Sequence, residues 1–344
     1  MYKMNETYFK EQLEHLMAID STTGYFRPIQ DYVEKEMADM GYEYVTTHKG
    51  GTYAVIDGEE DALLVTAHLD DIGLIVRHIN SNGTLEVTKV GGLYPYYAIT
   101  ENVNIYTRDG RVYTGTVQKT FSSVHVSEED QKNQPLDYAK NVCVVLDEDV
   151  TCADDVRKLG IDTGAFIALD PRLRYSNGYI KSRFIDDKVC AAVLLAALKE
   201  MKEKGLKPRR KLYAHFGAYE ELNHGGSYVP ADTKDILALD IACTGPRQNS
   251  HEKKVTIFAQ DARFPYHYEM TGEIIEVAKE IGVDWVMDVF TPAYGTDADA
   301  AVVAGHDVRH AAIGQGTANS HGYERTHMDG VKNLYALLLA YMLK

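Results

Sequence analysis

A chain of 344 residues suits roughly two domains at about 150 residues each, and its 45% apolar and 25% charged residues are those of an ordinary folded protein. With 36 basic against 51 acidic residues the net charge is −15, and no Lys/Arg cluster relieves it, which excludes nucleic acid and anionic membranes as partners. The longest apolar run, Val189 to Leu198, is too short to span a bilayer, and the polar opening Met1-Tyr-Lys-Met-Asn-Glu6 is unlike a secretory signal, so a cytoplasmic protein is expected.

In chain order, the first predicted elements are helices over residues 7–17 and 28–40, the second with Pro28 in its first turn and Gly41 just past its end. An apolar run over 62–67 then reads as a buried strand that delivers His68, Asp70 and Asp71. From about 73 to 163 helical periodicity nearly vanishes. Asn82-Gly83 lies between apolar runs at 74–79 and 85–90, and Asp109-Gly110 between 103–107 and 111–117, which are hairpin signatures because these pairs supply positive φ. Residues 127–140 are the polar stretch expected to form a mobile loop. Four cysteines (Cys143, Cys152, Cys190, Cys243) form no Cys-x-x-Cys pair and read as reduced and structural.

Helix–strand alternation returns afterwards. A helix over 186–204 opens on Asp186-Asp187, carries Val189, Ala192, Val193 and Ala196 on one face and stops at Gly205. The apolar run 211–217 leads to Glu220-Glu221, and 236–239 leads to Asp240. Further helices are predicted at 266–281, 297–304 and 331–343, with His321 following a late strand. The pattern predicts an α/β fold, a mixed sheet sandwiched by helices, with a small all-β domain over 73–163 inserted into a discontinuous catalytic domain, 1–72 and 164–344.

Acids and histidines at the ends of apolar strands are where open α/β sheets bind and react. Singly each has a bland reading: a strand-end His is more often a surface or core residue, an acidic doublet a solvated loop, Asp186-Asp187 a helix cap. Jointly, in this order after apolar strands, they point to a carboxylate-bridged site for two divalent ions. His68 and Asp240 would hold one, Glu221 and His321 the other, with Asp186 shared, although spacing leaves open which His goes with which acid. Asp186 is expected at a helix N-terminus, where a carboxylate is favoured. Asp70, two residues beyond His68, would orient its imidazole, and Glu220 would face a bridging hydroxide as general base. Zinc or cobalt suits such a ligand set, and manganese is compatible with it.

The chain resembles metallopeptidase family 42, the tetrahedral aminopeptidases, over essentially its whole length. The likeness is carried by Ala67-His-Leu-Asp-Asp-Ile-Gly73, Phe166-Ile-Ala-Leu-Asp-Pro-Arg172, Ile180-Lys-Ser-Arg-Phe-Ile-Asp-Asp-Lys188, Glu220-Glu-Leu222 and Gly295-Thr-Asp-Ala298. The resemblance implies the zinc-peptidase fold of the phosphorylase/hydrolase type. It implies metal ligands at His68, Asp186, Glu221, Asp240 and His321, Glu220 as general base and Asp70 as supporting acid. It further implies that the inserted domain is a dimerisation domain, that dimers build a hollow dodecamer, and that the substrates are peptides. Three segments depart from the family's pattern: Phe26 stands where it has an acid, Leu222-Asn-His-Gly-Gly226 replaces its Val-Gly, and Gln315-Gly-Thr-Ala-Asn-Ser-His-Gly-Tyr-Glu324 keeps only part of the last motif. The expected activity is a dinuclear aminopeptidase. Its rivals are a deacylase or dipeptidase of the same fold, a metal-free glycosidase using two of the acids, and a non-catalytic assembly protein.

Overall fold

Apolar runs too short for helices pair into sheets here, and the longer amphipathic runs cover them. In the computed structural model, which describes residues 2–121 and 123–344, the chain divides into two compact units, Met1–Asp70 with Arg172–Lys344, and Asp71–Pro171.

The first unit begins with α1 (Glu6–Ala18), α2 (Arg27–Asp39), β1 (Glu43–Thr46), β2 (Thr52–Ile56) and β3 (Glu60–His68). Asn5 caps α1 by accepting from the Tyr8 amide, and Pro28 stands in the first turn of α2, where its missing N–H costs nothing.

The second unit is a closed barrel of six antiparallel strands: β4 (Gly73–Ile79), β5 (Leu85–Val90), β6 (Asn102–Tyr106), β7 (Val112–Lys119), β8 (Val142–Leu146) and β9 (Phe166–Leu169), in the order β4-β5-β8-β7-β6-β9. Its short helices are α3 (Pro95–Ala98), α4 (Glu129–Asn133) and α5 (Ala153–Lys158). The turns at Gly83 and Gly110 have φ of 84° and 85°, as a tight hairpin demands. Within 127–140, expected as a loop, one helical turn forms. The Glu128/Gln131 capping box closes it, and the Lys119 ammonium donates to the carbonyls of Gln131 and Lys132.

The chain then returns to the first unit with β10 (Arg174–Ser176), β11 (Tyr179–Ser182), α6 (Ile185–Lys204), β12 (Arg210–Gly217), β13 (Thr233–Leu239), β14 (Ala242–Cys243) and β15 (Val255–Gln260). It ends with α7 (Tyr268–Ile281), β16 (Trp285–Val289), α8 (Asp297–Val303), β17 (Arg309–Thr317), β18 (Glu324–His327) and α9 (Met328–Leu343). The main sheet runs β1-β2-β12-β3-β13-β17-β15-β16, with β14 beside β17. Its centre, β12-β3-β13-β17, is parallel, whereas β1, β2 and the β15–β17 pairing are antiparallel. Strands β10, β11 and β18 make a separate antiparallel sheet. Helix α6 is buried along nearly its whole length. Central strands such as β3 and β13 are correspondingly near-continuous apolar runs, as expected where a parallel sheet has both faces covered. Among the described residues no helix is long and apolar enough to cross a membrane.

Candidate metal centre

Four parallel neighbours end side by side, and this alone gathers most of the predicted residues. β3 ends at His68 opposite Gly217, the last residue of β12, and β13 runs beside both β3 and β17 before releasing Asp240. Only glycine lets β17 pass there: a Cβ on Gly314 would lie 1.6 Å from the Asp240 carbonyl oxygen. Tyr219, at φ 69°, turns the chain out of β12 into a single 3₁₀ turn, Glu220–Leu222. His321, at φ 64°, sits in the turn between β17 and β18.

The structure brings all seven predicted residues together, with Asp186 at the middle. Its Oδ1 lies 3.2 Å from His68 Nε2, and its Oδ2 lies 3.7 Å from His321 Nε2. Glu221 Oε2 is 3.5 Å from the same His321 nitrogen, and Glu220 Oε2 is 3.7 Å from His68 Nε2. Nitrogen and carboxylate oxygens of His68, Asp186 and Glu221 fall within 4.8 Å of one another, as do those of His68, Glu220 and Asp240, and those of Asp186, Asp187 and Asp240.

Two expectations about local geometry need correction. Asp186 is not at a helical N-terminus: its ψ of 99° is extended, regular helix begins after Asp187, and the Asp186 amide donates to Glu324 Oε2 at 3.0 Å. The carboxylate is therefore held by side-chain contacts, to His68 and to the Ser320 hydroxyl. Asp70 does not orient His68 through its carboxylate, which lies 3.7 Å from Nδ1; its backbone carbonyl oxygen does so at 2.9 Å. The Asp70 carboxylate instead accepts the Glu220 and Glu221 amides at 3.2 and 3.4 Å and the Thr23 hydroxyl at 2.8 Å, fixing the turn that carries the glutamates. Glu220 reaches the site from a 3₁₀ turn.

Other residues escaped the sequence reading. The Tyr294 hydroxyl donates to Asp240 Oδ1 at 2.8 Å. Buried Glu324 accepts both the Asp186 and His321 amides, the latter at 2.9 Å. Asp187 Oδ2 accepts the His68 amide at 3.3 Å. Their only sequence signal is nearness to a recognised segment: Tyr294 precedes Gly295-Thr-Asp-Ala298, and Glu324 follows His321 by three residues.

Burial pushes Glu220, Glu221 and Asp240 well above the usual carboxylate range, and the neighbouring acids push them further. Asp186 is lowered, because the hydrogen bond and charge of His68 outweigh burial. Burial works against a charged His68, yet Asp186 and the surrounding acids raise it. Among the described residues no lysine or arginine makes an ion pair with Asp186, Glu220, Glu221 or Asp240. A largely buried cluster with this much negative charge and two imidazoles fits divalent cations, which would lower every one of the raised acids.

The model of the M42 glutamyl aminopeptidase family matches residues 50–337. YhfE of Bacillus subtilis (strain 168) is 35% identical over 96% of this chain and 96% of its own. A TET aminopeptidase from a marine-sediment Thaumarchaeota archaeon superposes with a TM-score of 0.88 at 19% identity, covering 98% of this chain and 97% of that one. The TET1 peptidase of Pyrococcus horikoshii, which can assemble into a tetrahedron or a large octahedral shell, gives 0.86 at 21% identity over 98% and 99%.

Proposed function

The chain belongs to the M42 glutamyl aminopeptidase family, and from that premise we propose a metal-dependent aminopeptidase that removes residues from the free N-termini of peptides, working with two divalent ions. The observation that carries the reading is the position of Asp186, one carboxylate oxygen toward His68 and the other toward His321. His68 and Asp240 would hold one ion, Glu221 and His321 the second, and Asp186 both. When bound, the ions supply Lewis acidity toward the peptide carbonyl and bring a water's pKa down toward ~7. Zinc or cobalt is the proposed occupant, since mixed imidazole and carboxylate donors suit both; manganese suits them as well.

The protein's own contributions follow from the contacts. Glu220, its carboxylate beside His68, takes the proton released by the attacking water and passes it to the departing amine. Asp70 keeps the Glu220–Glu221 turn in register by accepting its two amides. Glu324 does the same for Asp186 and His321, and Tyr294 fixes Asp240.

Self-association is part of the proposal, as a dodecamer built from dimers through the barrel unit. In its favour, that unit exposes Tyr94, Tyr96, Val124 and Val126. A cytoplasmic place is part of the proposal, in keeping with the net charge of −15.

The test is elemental analysis of the purified protein joined to a panel of amino-acid anilides, each also as its N-acetyl form. The expected result is two divalent ions per chain, turnover of free-amine anilides only, and loss of activity on chelation that is restored by metal. Full activity after exhaustive chelation, or equal rates on the acetylated forms, would sink it. Light scattering on the eluting protein reads the assembly.

A further inference from the structure

The sheet β10–β11–β18 has two ends with different tasks. At one, Ser182 pairs with Glu324 beside the metal centre; at the other, Tyr179 pairs with His327. Behind that second end lies a cavity of about 320 Å³, bounded by α1, the Asn177-Gly178 turn and the start of α9. Nothing in the proposed peptide chemistry uses it.

Its floor carries a polar group without a partner. His327 is 7% exposed, and its ring stands edge-on to Tyr179 at 4.6 Å between centres. Its Nδ1 accepts the Asp329 amide at 3.0 Å, which puts the ring hydrogen on Nε2. Were the ring protonated against the Asp329 carboxylate oxygen 3.3 Å away, Nε2 would still carry a hydrogen. That nitrogen has no hydrogen-bond acceptor among the described residues. A Cβ on Gly178 would lie 2.6 Å from it, so the glycine leaves the nitrogen uncovered. That N–H opens on the cavity, where a ligand acceptor can take it in place of water.

The rim adds charge and apolar surface. Lys332 is neutralised by Glu6 at 2.6 Å. The Lys10 ammonium lies 5.8 Å from the centre of the Tyr175 ring and has no acid partner among the described residues. An oriented N–H, one uncompensated cation and two phenol rings in a space at the small end of ligand pockets suit a single negative charge on an organic body. Glu6 and Asp329, which also line the cavity, oppose any anion and a doubly charged phosphate more strongly than a monocarboxylate.

We propose that this cavity binds a small organic monocarboxylate, its oxygens taking the His327 Nε2 hydrogen and the Lys10 ammonium while its hydrocarbon part packs on Tyr175 and Tyr179. The site is independent of the metal centre and of the peptidase reading. The experiment is calorimetric titration of the assembled, metal-loaded protein with benzoate, and with inorganic phosphate in parallel. Saturable benzoate binding at one site per chain is expected, with phosphate giving none. Lys10→Met, at the rim, and His327→Asn, which keeps a side-chain acceptor for the α9 start but loses the aimed N–H, should each weaken benzoate at least ~10-fold, about 1.4 kcal/mol. Should His327→Asn fail to fold, Lys10→Met decides alone. No saturable benzoate heat, unchanged affinity in Lys10→Met (as would follow from binding at the metals), or phosphate binding as well as benzoate would each overturn the proposal.

Discussion

Strand β13 carries a buried aspartate at each end of its apolar run, and the two are treated in opposite ways. Asp235, near the start, receives Arg309 through two hydrogen bonds of 2.7 and 2.6 Å and Arg210 through a third of 2.8 Å. Asp240, just past the end, receives one tyrosine hydroxyl, has His68 nearby and otherwise faces acids. Both are almost wholly buried, Asp235 3% and Asp240 4% exposed. A buried carboxylate needs compensating charge. At the entry end the fold supplies it from its own arginines, and at the exit end it leaves room for charge from solution. The difference separates an acid that holds strands together from one that, on the proposed function, would hold a metal ion.

The largest effect expected at the exit end comes from Glu220→Gln. Turnover of anilides should fall at least ~10²-fold while elemental analysis still finds the wild-type metal content, because the change removes a proton acceptor and not a ligand. Wild-type turnover would strip Glu220 of its role. The matching cut at the entry end, Asp235→Asn, should leave Arg210 without its counter-charge and Arg309 with Glu273 alone. Stability should drop by about 2–3 kcal/mol, below the figure for a fully buried pair because Arg309 keeps 30% of its side-chain surface in water. Denaturant midpoints measure this, and kcat per folded molecule should not move. A variant as stable as wild type, or a lost kcat, would erase the contrast between the ends.

Asp70→Asn should lower metal retention and rate together by about 10- to 100-fold. The cause differs from the one the sequence suggested: an amide nitrogen turned toward the Glu220 and Glu221 N–H groups repels them, so the glutamate turn shifts. Unchanged metal content and rate would count against that account.

Much of this was legible beforehand, and the limits of what was legible have a physical pattern. Strand exits at His68 and Asp240, the helices flanking the sheet and the Asn-Gly and Asp-Gly hairpins follow from local periodicity and turn chemistry, which a sequence displays. Asp235 and Asp240 flank the same four apolar residues, and only the assumption of a parallel strand running toward its ligands favoured the second. What a sequence does not display is which distant partner a polar atom meets. Asp70 finds the amides of Glu220 and Glu221 about 150 positions away, and Asp186 leaves the helix because Glu324 claims its amide. The 3₁₀ turn at Glu220 likewise depends on Tyr219 adopting φ 69°, a conformation tyrosine does not prefer on its own.

Chelation turns the comparison into a pH experiment. Burial and mutual repulsion raise Glu221 and Asp240 above their unfolded values. Groups shifted upward contribute stability that is complete below the unfolded carboxylate range, ~4, and is lost as pH climbs through the raised values. Metal-free protein should therefore melt several degrees lower at pH 8 than at pH 5.5, and divalent metal should remove most of that slope. A chelated protein whose melting temperature is flat across this window would mean that these acids are compensated from within.

The smallest and most local test is Tyr294→Phe. The hydroxyl donates to one Asp240 oxygen at 2.8 Å, and its ring is fixed by Phe258 and Phe290, with centres 5.7 and 5.1 Å away. Phenylalanine keeps that packing and deletes the hydroxyl with its contacts to Asp240 and to the Ile241 carbonyl. Asp240 then loses its one neutral donor while keeping its acidic neighbours, so a bound cation must hold the carboxylate without help, and metal affinity should fall by up to about 10-fold. Turnover at saturating metal should change less than affinity does, since the hydroxyl orients a ligand and touches no reacting atom. A kcat loss at full metal occupancy exceeding the loss in affinity would move Tyr294 from the support of Asp240 to the substrate itself.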